Sequence, residues 1–268
     1  MKRINYHSHT ALCRHAGGNC EDYVKEAIEK KLDILGISEH APYPDDRHGL
    51  HMLYEELEPY MEDLRRLKKE YQGQLELYAG LEIEYDPKMT DYYHWLLNQE
   101  RLDYLILGQH FYPSENDTLV NIYAIETEGD TSCYVEYANS LKAGMETGLF
   151  KILAHPDVIF INNLPWDENC EKACDIIIQA AKDTGTILEF NANGIRRGKQ
   201  MYCDGERYPY PYMGFWNKLS NSPIPVIVSS DCHNPYKLWD ECVEEAYQIA
   251  KKLNLNLVDE VDMTKSKK

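Results

Sequence analysis

Arg3-Ile4-Asn5-Tyr6-His7-Ser8-His9 reads as a short strand ending in His-x-His. Side chains alternate along a strand, so His7 and His9 point the same way, about 6–7 Å apart along the chain. That spacing lets two imidazoles grip one metal ion. On its own, His-x-His also describes two surface histidines near a terminus. The other end of the chain changes the balance. Val226-Ile227-Val228-Ser229-Ser230-Asp231-Cys232-His233 is a second strand, ending in Asp-x-His with the same spacing. Two such pairs, far apart in sequence, point to one site closed by the first and last strands of a sheet.

Between those ends, apolar runs of strand length alternate with helical patterns. Asp33–His40, Leu75–Tyr85, Asp103–His110, Phe150–Pro156 and Thr186–Asn191 read as strands two to six, and Ile224–Ser230 as the seventh. Asn19 caps a helix with Glu21 and Asp22 in its first turn. Further helices are predicted from about Glu55 to Tyr71, from about Ser132 to Thr147, up to a C′ residue at Gly185, and from Pro235 onward. Phe111–Asp130 is long for a loop, which favours a binding or lid role. Seven β/α alternations predict a parallel sheet. Closed, it is a distorted seven-stranded (β/α)7 relative of the TIM barrel, with its active site at the C-terminal ends of the strands. No composition break marks a second domain, so one domain is expected over residues 1–268, with a frayed polar tail from about 254.

The 268 residues include 43% hydrophobic positions, enough for a large core. Net charge is −17, with 28 Lys plus Arg against 45 Asp plus Glu. That disfavours nucleic acid or an anionic membrane as a bulk partner. It leaves room for a small phosphorylated ligand in a pocket made positive by metal cations. No stretch approaches the ~18 apolar residues of a membrane span, and the start has no apolar signal core. A cytoplasmic location is expected, with the eight scattered cysteines reduced. Cys170 and Cys174 fall on the buried stripe of a helix, so they read as core thiols.

His7, His9, His40, His110, His155, Asp231 and His233 all fall at predicted strand ends. Singly, a histidine is more often a surface or satisfied core residue. Jointly, the strand-end pattern reverses those odds. His15, just past the first strand, reaches the same mouth; His48, His51 and His94 lie in a polar loop or on helices and receive no role. Clustered cations need a carboxylate. Glu82 and Glu84 share strand parity and both point inward; Glu82 stands where the strand enters the mouth. Glu189 is a weaker candidate, and Asp157 caps a loop. His7, His9, His15, His40, Glu82, His110, His155, Asp231 and His233 make nine ligands, suited to three ions sharing a bridging carboxylate. A His-dominated set favours Zn, Fe or Mn over Ca or Mg. Arg196 and Arg197, in a Gly-flanked loop after the sixth strand, offer a guanidinium fork for phosphate oxygens.

His7-Ser8-His9-Thr10, Ser38-Glu39-His40, Gly80-Leu81-Glu82, Gly108-Gln109-His110, Ala154-His155-Pro156 and Ser230-Asp231-Cys232-His233 resemble, in order, the motif series of the PHP (polymerase and histidinol phosphatase) superfamily. Glu189-Phe190-Asn191-Ala192-Asn193-Gly194-Ile195-Arg196-Arg197 resembles its histidinol-phosphate phosphatase branch. The resemblance implies a distorted (β/α)7 barrel and three divalent transition-metal ions. It implies one ion on His7, His9, Glu82 and Asp231, a second on Glu82, His110 and His155, and a third on His15, His40 and His233. Some relatives carry Asp in place of His15, so metal preference is expected to vary at the third site. The implied activity is hydrolysis of L-histidinol phosphate in histidine biosynthesis, by in-line attack of a hydroxide held between two ions. Arg197, with Arg196 as fallback, holds phosphate oxygens. Asp231 or His233, if freed from full ligation, or a bound water, protonates the leaving group. Tyr43, Asp45 and Asp46, and Tyr202, Asp204, Glu206, Tyr208, Tyr210 and Tyr212, are loop candidates for the ammonium and ring, with no single one singled out. The rivals are a phosphatase of another small phosphomonoester, a PHP-type phosphodiesterase or nuclease, and a catalytically silent metal-binding module.

Overall fold

The apolar runs pair into one curled parallel sheet. The computed structural model describes residues 2–98, 102–114, 118–125 and 129–263. In chain order the strands are β1 (Ile4–Asn5), β2 (Ile34–His40), β3 (Glu76–Ile83), β4 (Tyr104–Leu107), β5 (Phe111–Pro113), β6 (Leu119–Asn121), β7 (Ile152–Leu153), β8 (Ile187–Asn191), β9 (Gln200–Tyr202), β10 (Gly205–Arg207), β11 (Pro225–Ser229) and β12 (Asn256–Leu257). Eight of them form the main sheet in the order β1-β2-β3-β4-β7-β8-β11-β12, every pairing parallel. β5–β6 and β9–β10 are antiparallel hairpins.

The helices are α1 (Cys20–Glu29), α2 (Leu57–Glu70), α3 (Thr90–Asn98), α4 (Ser132–Glu146), α5 (Glu168–Thr184), α6 (Asn193–Arg196), α7 (Met213–Trp216) and α8 (Glu241–Lys252). Asn19 caps α1 in a reciprocal box with Asp22, and Gly185 ends α5 at φ 72°. Cys170 and Cys174 are buried on α5, and all eight cysteines are free thiols. Among the described residues no helix is long and apolar enough to cross a membrane.

Several sequence expectations need correction. The sheet has eight strands, because the chain after α8 returns parallel to β11, pairing Asn256 with Pro225 and Leu257 with Val226. The tail expected to fray from about 254 is therefore part of the fold as far as residue 263, and residues 264–268 lie outside the described residues. Pro235 opens a separate 3-10 turn; α8 starts at Glu241, behind the Asp240 side chain that accepts from Val243 N at 3.1 Å. α3 was not foreseen. Ladder pairing in β1 stops at Asn5 and in β11 at Ser229, so the His-x-His and Asp-x-His pairs sit just beyond the strands.

Two cores flank the sheet. The larger lies between strands and helices. The smaller fills the barrel interior with Ile4, Tyr6, Ile34, Tyr104, Ile106, Ile152, Ala154, Ile227 and Val261. Each fully buried apolar side chain stabilises by about 1.5–3 kcal/mol. Tyr104 is fully buried in this plug. Its hydroxyl donates to the Tyr6 carbonyl at 2.6 Å, and Val261 N donates to the Tyr6 hydroxyl at 3.1 Å. At the mouth the continuation of β1 meets that of β11: Ser8 bridges Cys232, His9 N donates to Cys232 O at 3.0 Å, and Ser230 N donates to Asn5 Oδ1 at 2.7 Å.

Gly36 shows how tight the interior is. A Cβ there would lie 2.1 Å from the Tyr104 hydroxyl oxygen and 3.0 Å from Tyr6 Cα. Gly36→Ala is expected to lose about 1–3 kcal/mol through overpacking. In urea unfolding its midpoint should fall with unchanged slope, while Gly17→Ala, with open space around its Cβ, should unfold like the parent. An unshifted midpoint for Gly36→Ala would mean that Tyr104 does not plug the barrel.

Candidate metal centre

Glu82 enters the mouth from the end of β3, 1% exposed. Its Oε2 lies 3.2 Å from His7 Nε2, 3.4 Å from His9 Nε2 and 3.0 Å from His40 Nδ1. Its Oε1 lies 3.0 Å from His155 Nε2 and 3.6 Å from His110 Nε2. One carboxylate thus faces imidazoles on both sides. Asp231 Oδ1 approaches His9 Nε2 at 3.3 Å, His7 Nε2 at 3.7 Å and His233 Nδ1 at 3.8 Å. Gly108, just past the end of the neighbouring strand β4, leaves the room, since a Cβ there would fall 2.0 Å from Glu82 Oε1.

All nine residues expected as ligands converge on this mouth. Two of them stand on left-handed backbone. His155 has φ 29° and Asp231 φ 44°, left-handed values that cost an ordinary residue roughly 1–3 kcal/mol. Simple strand parity therefore does not explain where Asp231 points.

Other carboxylates and carbonyls fix the rings from behind, leaving one nitrogen of each directed inward. His7 Nδ1 donates to Glu189 Oε1 at 2.8 Å, and His110 Nδ1 to Glu84 Oε1 at 3.1 Å. His15 Nδ1 donates to Cys13 O at 2.8 Å, and His233 Nδ1 to Asp231 O at 3.2 Å. Such outer partners orient metal-binding imidazoles and raise their basicity. The consequence is a set of buried, unpartnered atoms: His7 Nε2, both ring nitrogens of His9, Glu82 Oε2 and His155 Nδ1 have no hydrogen bond. Each such atom costs about 1–3 kcal/mol if nothing meets it. His15 Nε2 and His233 Nε2, both lone-pair bearing once their Nδ1 protons are committed, face each other at 2.9 Å. A cation between such groups turns repulsion into coordination. Groups with metal-ligand spacing are His7–His9–Glu82, His40–Glu82–His110, His9–His40–His233 and Cys13–His15–His233.

The electrostatics divide the histidines. Burial acts to lower His7 and His9, but carboxylates overcome it: Glu189, Glu82 and Asp231 hold His7 well above its ordinary value. The Asp231 and Glu39 carboxylates, 3.3 and 3.5 Å from its ring nitrogens, bring His9 to about 9. Burial, reinforced by His9, pushes His40 well down and His233 to about 3. Burial opposes ionisation of Glu82 and Asp231 too, yet the imidazoles hold both well below the usual carboxylate range.

The centre opens into a cavity of about 790 Å³ lined in part by Arg196, Arg197, Asn193, Tyr210, Tyr123 and Phe111. The two arginines differ sharply. Arg196 is spent on structure: Nε and Nη2 donate to Asp240 at 2.8 and 3.0 Å, and Nη1 donates to Ser230 O at 2.9 Å. Arg197 lies over the Tyr210 ring at 5.8 Å, and among the described residues no carboxylate pairs with it.

Three residues carry more than the sequence suggested. Glu189 holds His7 and also accepts from His155 N at 3.1 Å. Glu39 accepts from His40 N at 2.9 Å and Thr10 N at 2.8 Å. His51, given no role from sequence, is buried, stacks on His40 at 5.1 Å and lines the cavity. Nothing in a polar loop signals that position. Glu39 and Glu189 did carry a signal, as charges inside otherwise buried strands. Asp157 does not cap its turn; it accepts from Trp216 Nε1 at 2.9 Å and from Tyr212 N. Of the loop candidates for substrate, Tyr210 alone lines the cavity among the described residues. Tyr43 is buried with its hydroxyl on Glu84 O. Tyr202 and Tyr212 sandwich Arg207.

The sequence profile of the PHP domain matches residues 5–193. Histidinol-phosphatase of Bacillus subtilis strain 168 is 28% identical over 260 residues, spanning 87% of this chain and 94% of that one. A Listeria monocytogenes crystal structure superposes with TM-score 0.72 at 22% identity, covering 89% of this chain and 98% of the other. The crystal structure of histidinol phosphate phosphatase from Lactococcus lactis, complexed with zinc, L-histidinol and phosphate, gives TM-score 0.70 at 16% identity, covering 96% and 95%.

Metal takes neutral imidazole. In metal-free protein the surrounding carboxylates favour the protonated rings of His7 and His9, and the stability that His9 contributes is full below its ordinary 6.5 and lost as pH rises through about 9. Zinc added to metal-free protein in weakly buffered solution at pH 7 should acidify it, with protons released from both residues, and loading should weaken as pH falls. No acidification on saturation would mean that both rings are already neutral.

Proposed function

The chain belongs to the PHP domain family, and on that footing we propose a metal-dependent phosphomonoesterase that hydrolyses L-histidinol phosphate to L-histidinol and phosphate, a step of histidine biosynthesis. The observation that carries this reading is the set of unpartnered, buried ligand atoms around Glu82, opening on a cavity lined by an arginine, Arg197, that no carboxylate pairs with among the described residues. It is supported by the name of the 28%-identical Bacillus relative and by the zinc, L-histidinol and phosphate of the Lactococcus complex.

The donor chemistry fits three divalent transition-metal ions. His7, His9, Glu82 and Asp231 would hold the first; Glu82, His110 and His155 the second; His15, His40 and His233 the third. A His-rich set of this kind suits Zn, Fe or Mn. When bound, such ions neutralise phosphoryl charge and lower the pKa of water. The chain's own residues do the rest. Glu82 keeps the two sides of the centre in fixed relation through its two oxygens. Glu189 and Glu84 hold the imidazoles of His7 and His110 to one orientation, and Glu39 fixes the backbone at His40. Arg197 clamps the equatorial phosphate oxygens, a charge-assisted contact that fixes the phosphoryl group for in-line attack. Asp231 is buried, whereas the His233 side chain is 24% exposed. Of the two, His233 is the more accessible to solvent, and it would serve the leaving alkoxide only if freed from full ligation.

The same reading takes the sheet as a distorted (β/α)7 barrel with β12 appended beside β11, forming one domain. It places the enzyme in the cytoplasm, where eight thiols stay reduced. Its partner is the small phosphorylated substrate, since a −17 chain repels nucleic acid and anionic membranes.

Two measurements test this. Metal-depleted protein should be inactive, and reconstituted protein should approach three ions per chain by elemental analysis. Its kcat/KM for histidinol phosphate should exceed that for phosphoserine, glycerol phosphate and bis-p-nitrophenyl phosphate by at least about tenfold, or roughly 1.4 kcal/mol. A flat profile, or preference for the diester, would sink the assignment. Full activity with at most one ion would rule out the three-ion centre.

The two arginines should also separate. Arg197→Ala is expected to cut kcat/KM about ten- to a hundredfold, the worth of roughly 1.5–3 kcal/mol. Arg196→Ala should show its loss first in thermal stability, because it strands Asp240 in a half-buried position. The opposite pattern would exchange their roles.

A further inference from the structure

The histidine cluster continues outward as a file of stacked rings. His9 lies on His40 with centroids 4.0 Å apart and 19° between planes; His40 lies on His51 at 5.1 Å and 25°. His51 meets His48 at 5.0 Å, and His48 lies almost flat on Phe111 at 4.6 Å and 9°. A second stack rises from the same floor, with Tyr123 on His110 at 6.0 Å and 16°.

Both stacks are rooted in the base of the β5–β6 hairpin. Phe111 follows His110 and pairs with Asn121 across the hairpin. Ile122 N donates to His110 O at 3.0 Å, and Asn162 Nδ2 donates to Ile122 O at 2.8 Å. Tyr123 N donates to Asn121 Oδ1 at 2.9 Å. The backbone on either side of the rings is thereby fixed before any ligand arrives, which lowers the entropy lost on binding.

Phe111, Tyr123 and Leu50 line the cavity, and Leu50 and Tyr123 keep 58% and 41% of their surface exposed there. Neither a metal ion nor a phosphate makes use of such a wall. Its floor is carboxylate and imidazole, and its cation, Arg197, lies with Tyr210. Apolar and aromatic surface held open inside a concave, otherwise charged site is suited to a flat, weakly polar part of a ligand. We propose that Leu50, Phe111 and Tyr123 form a slot for a planar ring on the leaving alcohol, so that the hairpin base sets substrate choice. This rests on the phosphomonoesterase reading above. The ligand class is a phosphomonoester of a short amino alcohol that carries one planar ring.

The test compares histidinol phosphate with phosphoethanolamine, which shares the phosphate and ammonium but has no ring, on metal-reconstituted enzyme. Phe111→Leu keeps apolar volume and removes the flat face. It should lower kcat/KM for histidinol phosphate by about two- to tenfold, the worth of one aromatic contact, through KM with kcat retained. Phosphoethanolamine should shift by less than about twofold, the range of an uninvolved side chain. Leu50→Ala should act in the same direction, and Phe111→Trp, which restores a flat face, should recover the preference. Equal losses on both substrates would reduce Phe111 to a support for the hairpin and overturn the slot, as would unchanged discrimination in the Phe111→Leu and Leu50→Ala variants. Those outcomes leave the phosphatase reading standing. A parent enzyme that does not distinguish the two substrates overturns both.

Discussion

Everything at the mouth depends on the Glu82 carboxylate. Its two oxygens meet three imidazoles on one side and two on the other, between 3.0 and 3.6 Å, with almost no water access. Charges interact strongly in so dry a place, and an unpaired polar atom there is expensive. His7 and His110 cannot rotate away to relieve the crowding, because Glu189 and Glu84 hold their outer nitrogens. The centre is thus rigid and short of positive charge at the same time. That pairing makes metal binding part of its stability as well as its chemistry.

The barrel supplies the rigidity. Small residues on β2 and β3 let Tyr104 fill the interior, and Tyr104 in turn holds the strand that carries His7 and His9. Above it, the left-handed turns at His155 and Asp231 aim two side chains inward. The strain in those turns persists because neighbours over-determine them: Glu189 accepts from His155 N, while Asn191 and Asn193 donate to Asp231 Oδ2.

The reading of sequence reached the site more fully than it reached the fold's edges. Ligands at strand ends are legible because strand runs end in recognisable places, and convergence of those ends follows from parallel topology. Glu82 was legible because its parity matches the interior. β12 was not, since two residues in a polar stretch carry no periodicity. His51 was not, since a loop histidine looks alike whether it faces solvent or stacks on His40. Arg196 and Arg197 looked equivalent as neighbours; only the position of Asp240, brought close by the start of α8, tells them apart.

The seam at the mouth has a consequence for how the protein is made. Ser230 N reaches Asn5 Oδ1 across 225 residues of sequence. With ribosomes adding about 5–20 residues per second, the first strand waits on the order of ten to forty-five seconds for its partner to emerge. For that interval His7 and His9 exist without Asp231, in a nascent chain with one unpaired edge. Metal capture by the finished centre is therefore among the last events in the birth of each molecule. Any ion picked up earlier is held by a partial ligand set, and it must be retained or exchanged when the barrel shuts.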